Sequence, residues 1–178
     1  LFPSRDAQAW LALRDAFVRT VLGRGVRLVA PSEFARRRVL AIAPELCGAP
    51  WDVQPHGIAP LTPVPPPSRA AGQPLRVLVP GHIHGGKGEQ CLAAMLRDLP
   101  EGLEFFLLGC GNAGDRFEGL PQITVIREYQ HSSLAGEVER IAPDIALLPG
   151  DVPETFSYVL SEMLALGVPV LCSRPGAT

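Results

Sequence analysis

The run Leu75-Arg76-Val77-Leu78-Val79, closed by Pro80-Gly81 and followed by His82-Ile83-His84-Gly85-Gly86-Lys87-Gly88, decides how this chain is read. Its apolar part is too short for a stable helix and ends at strong breakers, which makes it a strand. The hydrophobicity is nearly continuous rather than alternating, as expected where both faces of a sheet are covered. The pattern repeats downstream in Leu103–Leu108, Ile123–Ile126, Ile145–Leu148 and Val168–Cys172. Between most of these runs the period lengthens to that of a helix, over Gly88–Leu99, Ser132–Ile141 and Thr155–Leu166. Strand, helix and strand in alternation predict an α/β fold, a Rossmann-like doubly wound parallel sheet. Such sheets bind ligands in the crevice beyond the carboxyl ends of their strands, so chemistry is expected in the loops 80–88, 109–114, 127–132 and 149–156.

Upstream the organisation differs. Residues 5–22 place Trp10, Leu13, Phe17, Val18 and Val21 on one helical face, and Gly23 and Gly25 end the run. Val26–Ala30 reads as a short strand, and Ser32 is an N-cap candidate for a helix through Ala43 with Glu33 in its first turn. Arg36-Arg37-Arg38 falls on the solvated side of that helix. Trp51-Asp52-Val53-Gln54 leads into Pro55-His56-Gly57-Ile58, after which Pro60, Pro63, Pro65, Pro66, Pro67 and Pro74 describe a semi-rigid spacer and a domain boundary.

Composition narrows the function classes. With 47% hydrophobic and 19% charged side chains among 178 residues, the chain is globular and has a core. Lys+Arg 16 against Asp+Glu 18 leaves a net charge of -2, without the basic surplus that draws proteins to nucleic acid or anionic lipid. No run approaches the ~18 apolar residues of a membrane span. The start, Leu1-Phe2-Pro3-Ser4-Arg5-Asp6, lacks a charged leader, so a cytoplasmic protein is expected. Its first residue is Leu and its end lacks a helix, the expectation being a piece of a longer chain. Cys47, Cys91, Cys110 and Cys172 form no C-x-x-C pair and are expected as reduced core thiols. His82 and His84 could face one way on a strand, but no carboxylate or cysteine stands near to complete a shell, and no metal is expected.

Three loops carry candidate chemistry. Gly109-Cys110-Gly111-Asn112-Ala113-Gly114 is a literal G-x-G-x-x-G, with Glu128 at a suitable distance for a ribose. Only Asp115–Leu120 separates it from Pro121, too little for the long helix that receives a pyrophosphate, so a glycine-rich turn is expected. The loop after the first strand of the sheet carries Lys87, the sole lysine of the chain, among glycines that let backbone approach a diphosphate. It is not a P-loop, since Lys87 is followed by Gly88 rather than a hydroxyl residue. In the loop at 149–156, Glu154 precedes a helix on which Glu162 lies about 12 Å further along, at roughly 1.5 Å per residue. That is too far for a pair acting on one glycosidic bond, but it suits an extended ligand held at both ends. The amides around Ser157, Tyr158 and Val159 would meet an anion between them. The alternatives are a solvated Lys87 on a turn, and Glu154 serving only the helix dipole.

The run Pro153-Glu154-Thr155-Phe156-Ser157-Tyr158-Val159-Leu160-Ser161-Glu162-Met163-Leu164-Ala165-Leu166-Gly167-Val168-Pro169-Val170 resembles the E-x7-E signature and A-x-G-x-P-V turn of the retaining GT-B glycosyltransferases, the family of glycosyl transferases group 1. Pro55-His56-Gly57-Ile58 is similar to the family's hinge segment, and the Gly81 to Gly88 loop to its lysine loop. The resemblance covers about residues 26–178. It implies half of a GT-B architecture: 1–60 as the incomplete C-terminal part of an acceptor-side domain, 61–73 as a proline-rich linker, and 74–178 as the donor-binding Rossmann-like domain, truncated at its C-terminus. It further implies transfer of a hexose-type sugar from a nucleoside-diphosphate sugar to an unidentified acceptor (glycan, lipid-linked saccharide or metabolite) with retention of configuration. No cofactor or metal is required. Glu154 and Lys87 would be catalytic. Gly81, His82, Lys87, Glu154, Phe156, Ser157, Tyr158 and Glu162 would bind the donor, with Glu154 on the sugar hydroxyls, the amides near Ser157 and Tyr158 on the diphosphate, and Glu162 on the ribose. The base would lie near Arg127-Glu128-Tyr129. One departure is visible, since the family's arginine is replaced by His82. The acceptor-side domain of the same chain would be needed for turnover, and location would be cytoplasmic or peripheral at the inner face of a membrane. A non-catalytic nucleotide-binding or interaction module, and an NAD-linked oxidoreductase, are the alternatives.

Overall fold

The computed structural model describes residues 6–85, 87–173 and 176. Arg5 of the first expected helix, Gly86 of the glycine loop, and residues 174, 175, 177 and 178 of the terminus lie outside the described residues. The chain divides into two compact units, the first ending at His56 and the second running from Gly57.

The first unit consists of α1 (Ala7–Gly23), β1 (Leu28–Ala30), α2 (Glu33–Ile42), a 3-10 turn (Pro44–Gly48) and β2 (Trp51–Val53). The strands β1 and β2 pair in parallel, Leu28 opposite Trp51. The Asp6 carboxylate caps α1 by accepting from the Ala9 amide at 2.7 Å, and the Ser32 hydroxyl caps α2 by accepting from Ala35 at 3.1 Å. Val18, Val21, Ala43 and Leu46 form a small core flanked by Leu28, Leu40 and Trp51. Of the apolar face expected on α1, only Val18 and Val21 are buried, whereas Trp10, Leu13 and Phe17 are exposed. The cause is reach, since the core that covers α1 meets only its C-terminal half.

The second unit holds β3 (Leu75–Pro80), α3 (Glu89–Met95), β4 (Leu103–Leu108), β5 (Ile123–Ile126), α4 (Leu134–Ile141), β6 (Ile145–Leu148), α5 (Tyr158–Ala165) and β7 (Val170–Cys172). Its five strands are parallel in the order β5-β4-β3-β6-β7. The chain leaves β3 toward one edge and returns toward the other, so the doubly wound α/β sheet read from the sequence is present. Period-2 alternation sorts the side chains onto two covered faces. Val77, Val79, Phe105 and Leu107 face Leu92, Leu96 and Phe117. Leu78, Leu108 and Ala146 face Leu134, Val138 and Ile141 of α4, Met163 of α5 and Leu166 at the end of α5.

The proline-rich segment belongs to this unit. Leu61 and Val64 pack on the second face, and the Val64 amide donates to the Leu166 carbonyl at 3.0 Å. Arg69 donates to Asp144 at 2.8 Å and to the carbonyls of Pro74 and Ala142 at 3.0 Å each. Composition marked these residues as a spacer, but two apolar side chains and one arginine strap them to the sheet. The thiols divide as well, with Cys110 buried and Cys47 and Cys91 exposed rather than in a core. Cys91 lies on the outward side of α3, beside the fully buried Leu92.

Candidate functional site

The order of the strands places a switch point between β3 and β6, whose neighbours continue in opposite directions. Loops that leave such a pair diverge and open a crevice at the carboxyl ends. A cavity of about 370 Å³ lies there, walled by Pro80 and Gly81 at the end of β3, by Leu148 and Gly150 at the end of β6, and by Glu154 and Phe156 to Val159. Seven of the expected donor residues line it: Gly81, His82, Lys87, Glu154, Phe156, Ser157 and Tyr158.

The glycines of the first loop set its path. Gly88 is left-handed at φ +80, and a Cβ there would stand 2.3 Å from the Pro149 carbonyl oxygen, so the loop after β3 can lie against the loop after β6 only with glycine at this position. The Lys87 amide, donating to the His84 carbonyl at 2.8 Å, closes the turn. Lys87 Nζ then pairs with Glu154 Oε1, across 67 residues of sequence. The Glu154 side chain is only 23% exposed, against 45% for Lys87, so the pair lies on the cavity wall with the ammonium to the outside. Glu154 is itself approached from behind, since a Cβ on Gly176 would stand 2.6 Å from its backbone nitrogen and oxygen.

Helix α5 starts at Tyr158, three residues later than the sequence suggested. Ser157, extended at φ -109 and ψ 101, is the N-cap, its hydroxyl accepting from the Leu160 amide at 3.4 Å. The chain from Glu154 to Ser157 is therefore loop, and the separation of Glu154 from Glu162 is not the rise of one continuous helix. The first turn of α5 faces the cavity through Tyr158 and Val159, and Phe156 and Tyr158 meet edge to face with centroids 5.1 Å apart. Aligned peptide dipoles give this end of the helix partial positive character, which favours an anion in the adjacent space.

A second cavity of about 360 Å³ opens beyond β3, β4 and β5, lined by Gly81, His82, Gly109, Arg127, Glu128, Tyr129 and His131. It shares Gly81 and His82 with the first, so His82 marks the waist between two lobes. Gly109 and Gly111 are left-handed at φ +77 and +62, where a side chain is strained, and a Cβ on Gly109 would in addition meet the Tyr129 ring at 2.7 Å. Arg127 is already bound to Asp115 at 2.7 Å and to Glu118 at 2.8 Å, and those carboxylates hold its guanidinium above its ordinary range, the Asp115 hydrogen bond contributing most.

Glu162 lines neither cavity. It is buried on α5, and its Oε1 accepts from His131 Nε2 at 2.8 Å. His131 lies in the loop 127–132 expected to carry function, but no local pattern points to it, because its partner is 31 residues away. Burial, and secondarily the charge of Glu162, push the Tyr129 phenol above 10.0.

Gly109 to Gly114 do not open an α-helix. Gly111–Phe117 is a 3-10 helix of seven residues ending in an extended Glu118. Gly114 is buried against Cys110 Sγ, which a Cβ would approach to 2.4 Å, so this glycine serves packing. His84 Nδ1 donates to the Gly85 carbonyl at 2.8 Å. Among the described residues no group of three or more His, Cys, Asp or Glu side chains is arranged to hold a metal ion, and no helix is long and apolar enough to cross a membrane.

No protein-family model and no curated protein matches the chain. Solved structures do. One is described as the lipopolysaccharide outer core galactosyltransferase WaaB in its apo form, similar with a TM-score of 0.65 at 17% sequence identity over 84% of this chain. The match takes in 43% of that protein, so the present chain spans less than half its length. At this identity the likeness is one of fold, and it extends the Rossmann-like reading of the sheet to a known structure.

Proposed function

We propose that this chain contains the donor-binding half of a retaining GT-B glycosyltransferase of the group 1 type, taking a nucleoside-diphosphate sugar. The observation that carries the reading is the meeting of Lys87 and Glu154 at the switch-point cavity, beside the first turn of α5. That turn and the ammonium offer positive charge from two sides to a diphosphate. Glu154, sharing the same wall, is placed to accept from hydroxyls of the sugar. Glu162 is bonded to His131, which lines the second cavity, the lobe into which a nucleoside extending past His82 would run. The fold shared with a galactosyltransferase supports the reading, as does the resemblance of residues 153–170 to the E-x7-E signature.

In the proposed reaction the bond between the anomeric carbon and the diphosphate oxygen breaks as an acceptor hydroxyl oxygen bonds to that carbon and gives its proton to the departing phosphate, whose developing negative charge is met by Lys87 and the helix terminus. Groups already oriented at the moment of bond breaking stabilise that charge without reorganisation. The acceptor would be held by the other half of the GT-B architecture, to which residues 1–60 are assigned in part. The NAD reading lacks its helix, since the glycine motif leads into a 3-10 segment rather than a dipole-bearing α-helix.

A thermal-shift panel of UDP-, GDP- and ADP-sugars against NAD tests the proposal. Ligand at about 100 times its Kd stabilises a native state by about 2.7 kcal/mol. Stabilisation by at least one sugar nucleotide and by its nucleoside diphosphate, but not by NAD, is expected. Stabilisation by NAD alone would overturn the proposal, and no response to any ligand would leave the interaction-module alternative standing in its place.

A further inference from the structure

We propose that His131 is a positioning residue for the nucleoside end of the donor: it holds Glu162 so that one carboxylate oxygen is presented to the ribose. The inference rests on the donor-site reading above and adds to it a residue that neither the sequence motif nor the fold comparison assigns.

Glu162 projects from a helix whose neighbouring side chains are largely apolar, and its side chain is only 10% exposed. A carboxylate so enclosed is costly unless it is hydrogen-bonded. Ionised, it can only accept, so the hydrogen in the 2.8 Å contact sits on His131 Nε2 and Oε1 receives it. Among the described residues, the sole sealed side-chain nitrogen or oxygen without a hydrogen-bond partner is Arg76 Nε, itself 3.4 Å from Glu104 Oε2. Oε2 of Glu162 is therefore not fully sealed, and in a side chain that keeps 10% of its surface exposed it is the oxygen left for a hydroxyl donor.

His131 can serve as an anchor because its backbone is held. It opens a 3-10 turn in which the Ser133 amide and hydroxyl both donate to the Gln130 carbonyl, at 2.8 and 2.7 Å. The turn runs directly into α4, whose Leu134 and Val138 are 1% and 0% exposed. The imidazole itself is 62% exposed and lines the second cavity, so its removal would disturb little packing. Without it, the Glu162 carboxylate would have to turn toward water, and Oε2 would lose its orientation. Tyr129 lines the same cavity and feels the charge of Glu162.

Ribose discrimination by calorimetry reads this role directly. The probes are UDP, GDP or ADP, whichever binds most tightly, its 2′,3′-dideoxy counterpart, and inorganic diphosphate. Wild type should prefer the ribonucleotide by about 10-fold or more, the scale of a hydrogen bond to a charged acceptor. In His131→Ala that preference should shrink to about 2-fold or less while affinity for inorganic diphosphate is unchanged, and His131→Gln, which can place an amide N–H near Nε2, should restore part of it. A purely structural His131 would lower all three affinities together. Wild-type preference that survives intact in His131→Ala would overturn the positioning role and leave the donor-site reading standing. No preference in wild type would overturn the placement of ribose on Glu162, and the role of His131 with it.

Discussion

The contact between Lys87 and Glu154 makes a prediction of unusual form, because the two substitutions at one ion pair should act in opposite directions on diphosphate binding. Losing a charge-assisted contact to a phosphate costs about 1.5–3 kcal/mol. In the unliganded protein, however, Lys87 is engaged by Glu154, and at 45% exposure of the lysine such a pair contributes only about 0.2–1 kcal/mol. Binding a diphosphate gives up part of that, so Lys87→Ala should weaken nucleoside diphosphate by about 1–2.5 kcal/mol, roughly 5- to 60-fold. Glu154→Gln removes the competitor and leaves the ammonium free, so inorganic diphosphate should bind unchanged or up to about 5-fold tighter, while the preference for a sugar nucleotide over its nucleoside diphosphate declines. Calorimetry at one fixed ionic strength reads both, since screening alters each contact. Equal diphosphate affinity in wild type and Lys87→Ala would refute the assignment of Lys87 to the leaving group. Weaker inorganic diphosphate binding in Glu154→Gln would show that the carboxylate supports the anion site rather than competing for its cation.

Gly88→Ala should destabilise the protein by about 2–3 kcal/mol or more and abolish nucleotide binding, because a left-handed alanine would clash with the Pro149 carbonyl; urea midpoints and calorimetry check the two effects. Arg69→Ala breaks a pair with Asp144 whose side chains are 15% and 20% exposed, and should cost about 2–4 kcal/mol in urea unfolding, whereas Arg27→Ala, at the exposed pair with Asp52, should cost less than about 1 kcal/mol. Burial raises the Cys110 thiol above 9.0 and the Tyr129 phenol above 10.0, so the folded state holds both protons more tightly than the unfolded chain. Their contribution is complete below pH 9.0 and is lost as pH rises through the folded values; urea midpoints should fall across the alkaline range, and less steeply in Cys110→Ala with Tyr129→Phe.

Much of the second unit was legible because its strands are covered on both faces, and near-continuous apolar runs such as Leu75–Val79 and Leu103–Leu108 have few other uses in a chain of this composition. Helix starts were less legible. Thr155 and Ser157 are both capping types, and which one opens α5 depends on where the loop after β6 delivers the chain. The proline-rich segment could be read as stiff but not as packed, since Val64 and Arg69 bond to Leu166, Ala142 and Asp144, far along the chain at the ends of α5 and α4 and just before β6. The same limit applies within the candidate site. Lys87, Glu154 and Glu162 stood out by residue type and neighbourhood, whereas the pairing of Lys87 with Glu154 and of His131 with Glu162 are long-range facts without a local pattern. The exposed Phe17 and Leu13 of α1 show the converse, a helical periodicity that was present while the surface to cover it was not.

The central claim, that the crevice between the carboxyl ends of β3 and β6 is a sugar-nucleotide site, is tested most directly by a crystal structure of the protein with a nucleoside-diphosphate sugar bound. The account predicts the diphosphate between Lys87 Nζ and the first turn of α5, the sugar against Glu154, and the ribose hydroxyls within hydrogen-bond distance of Glu162 in the lobe beyond His82. A diphosphate seated instead on Gly109 to Gly114, or a nucleotide bound with neither Lys87 nor Glu162 in contact, would contradict it.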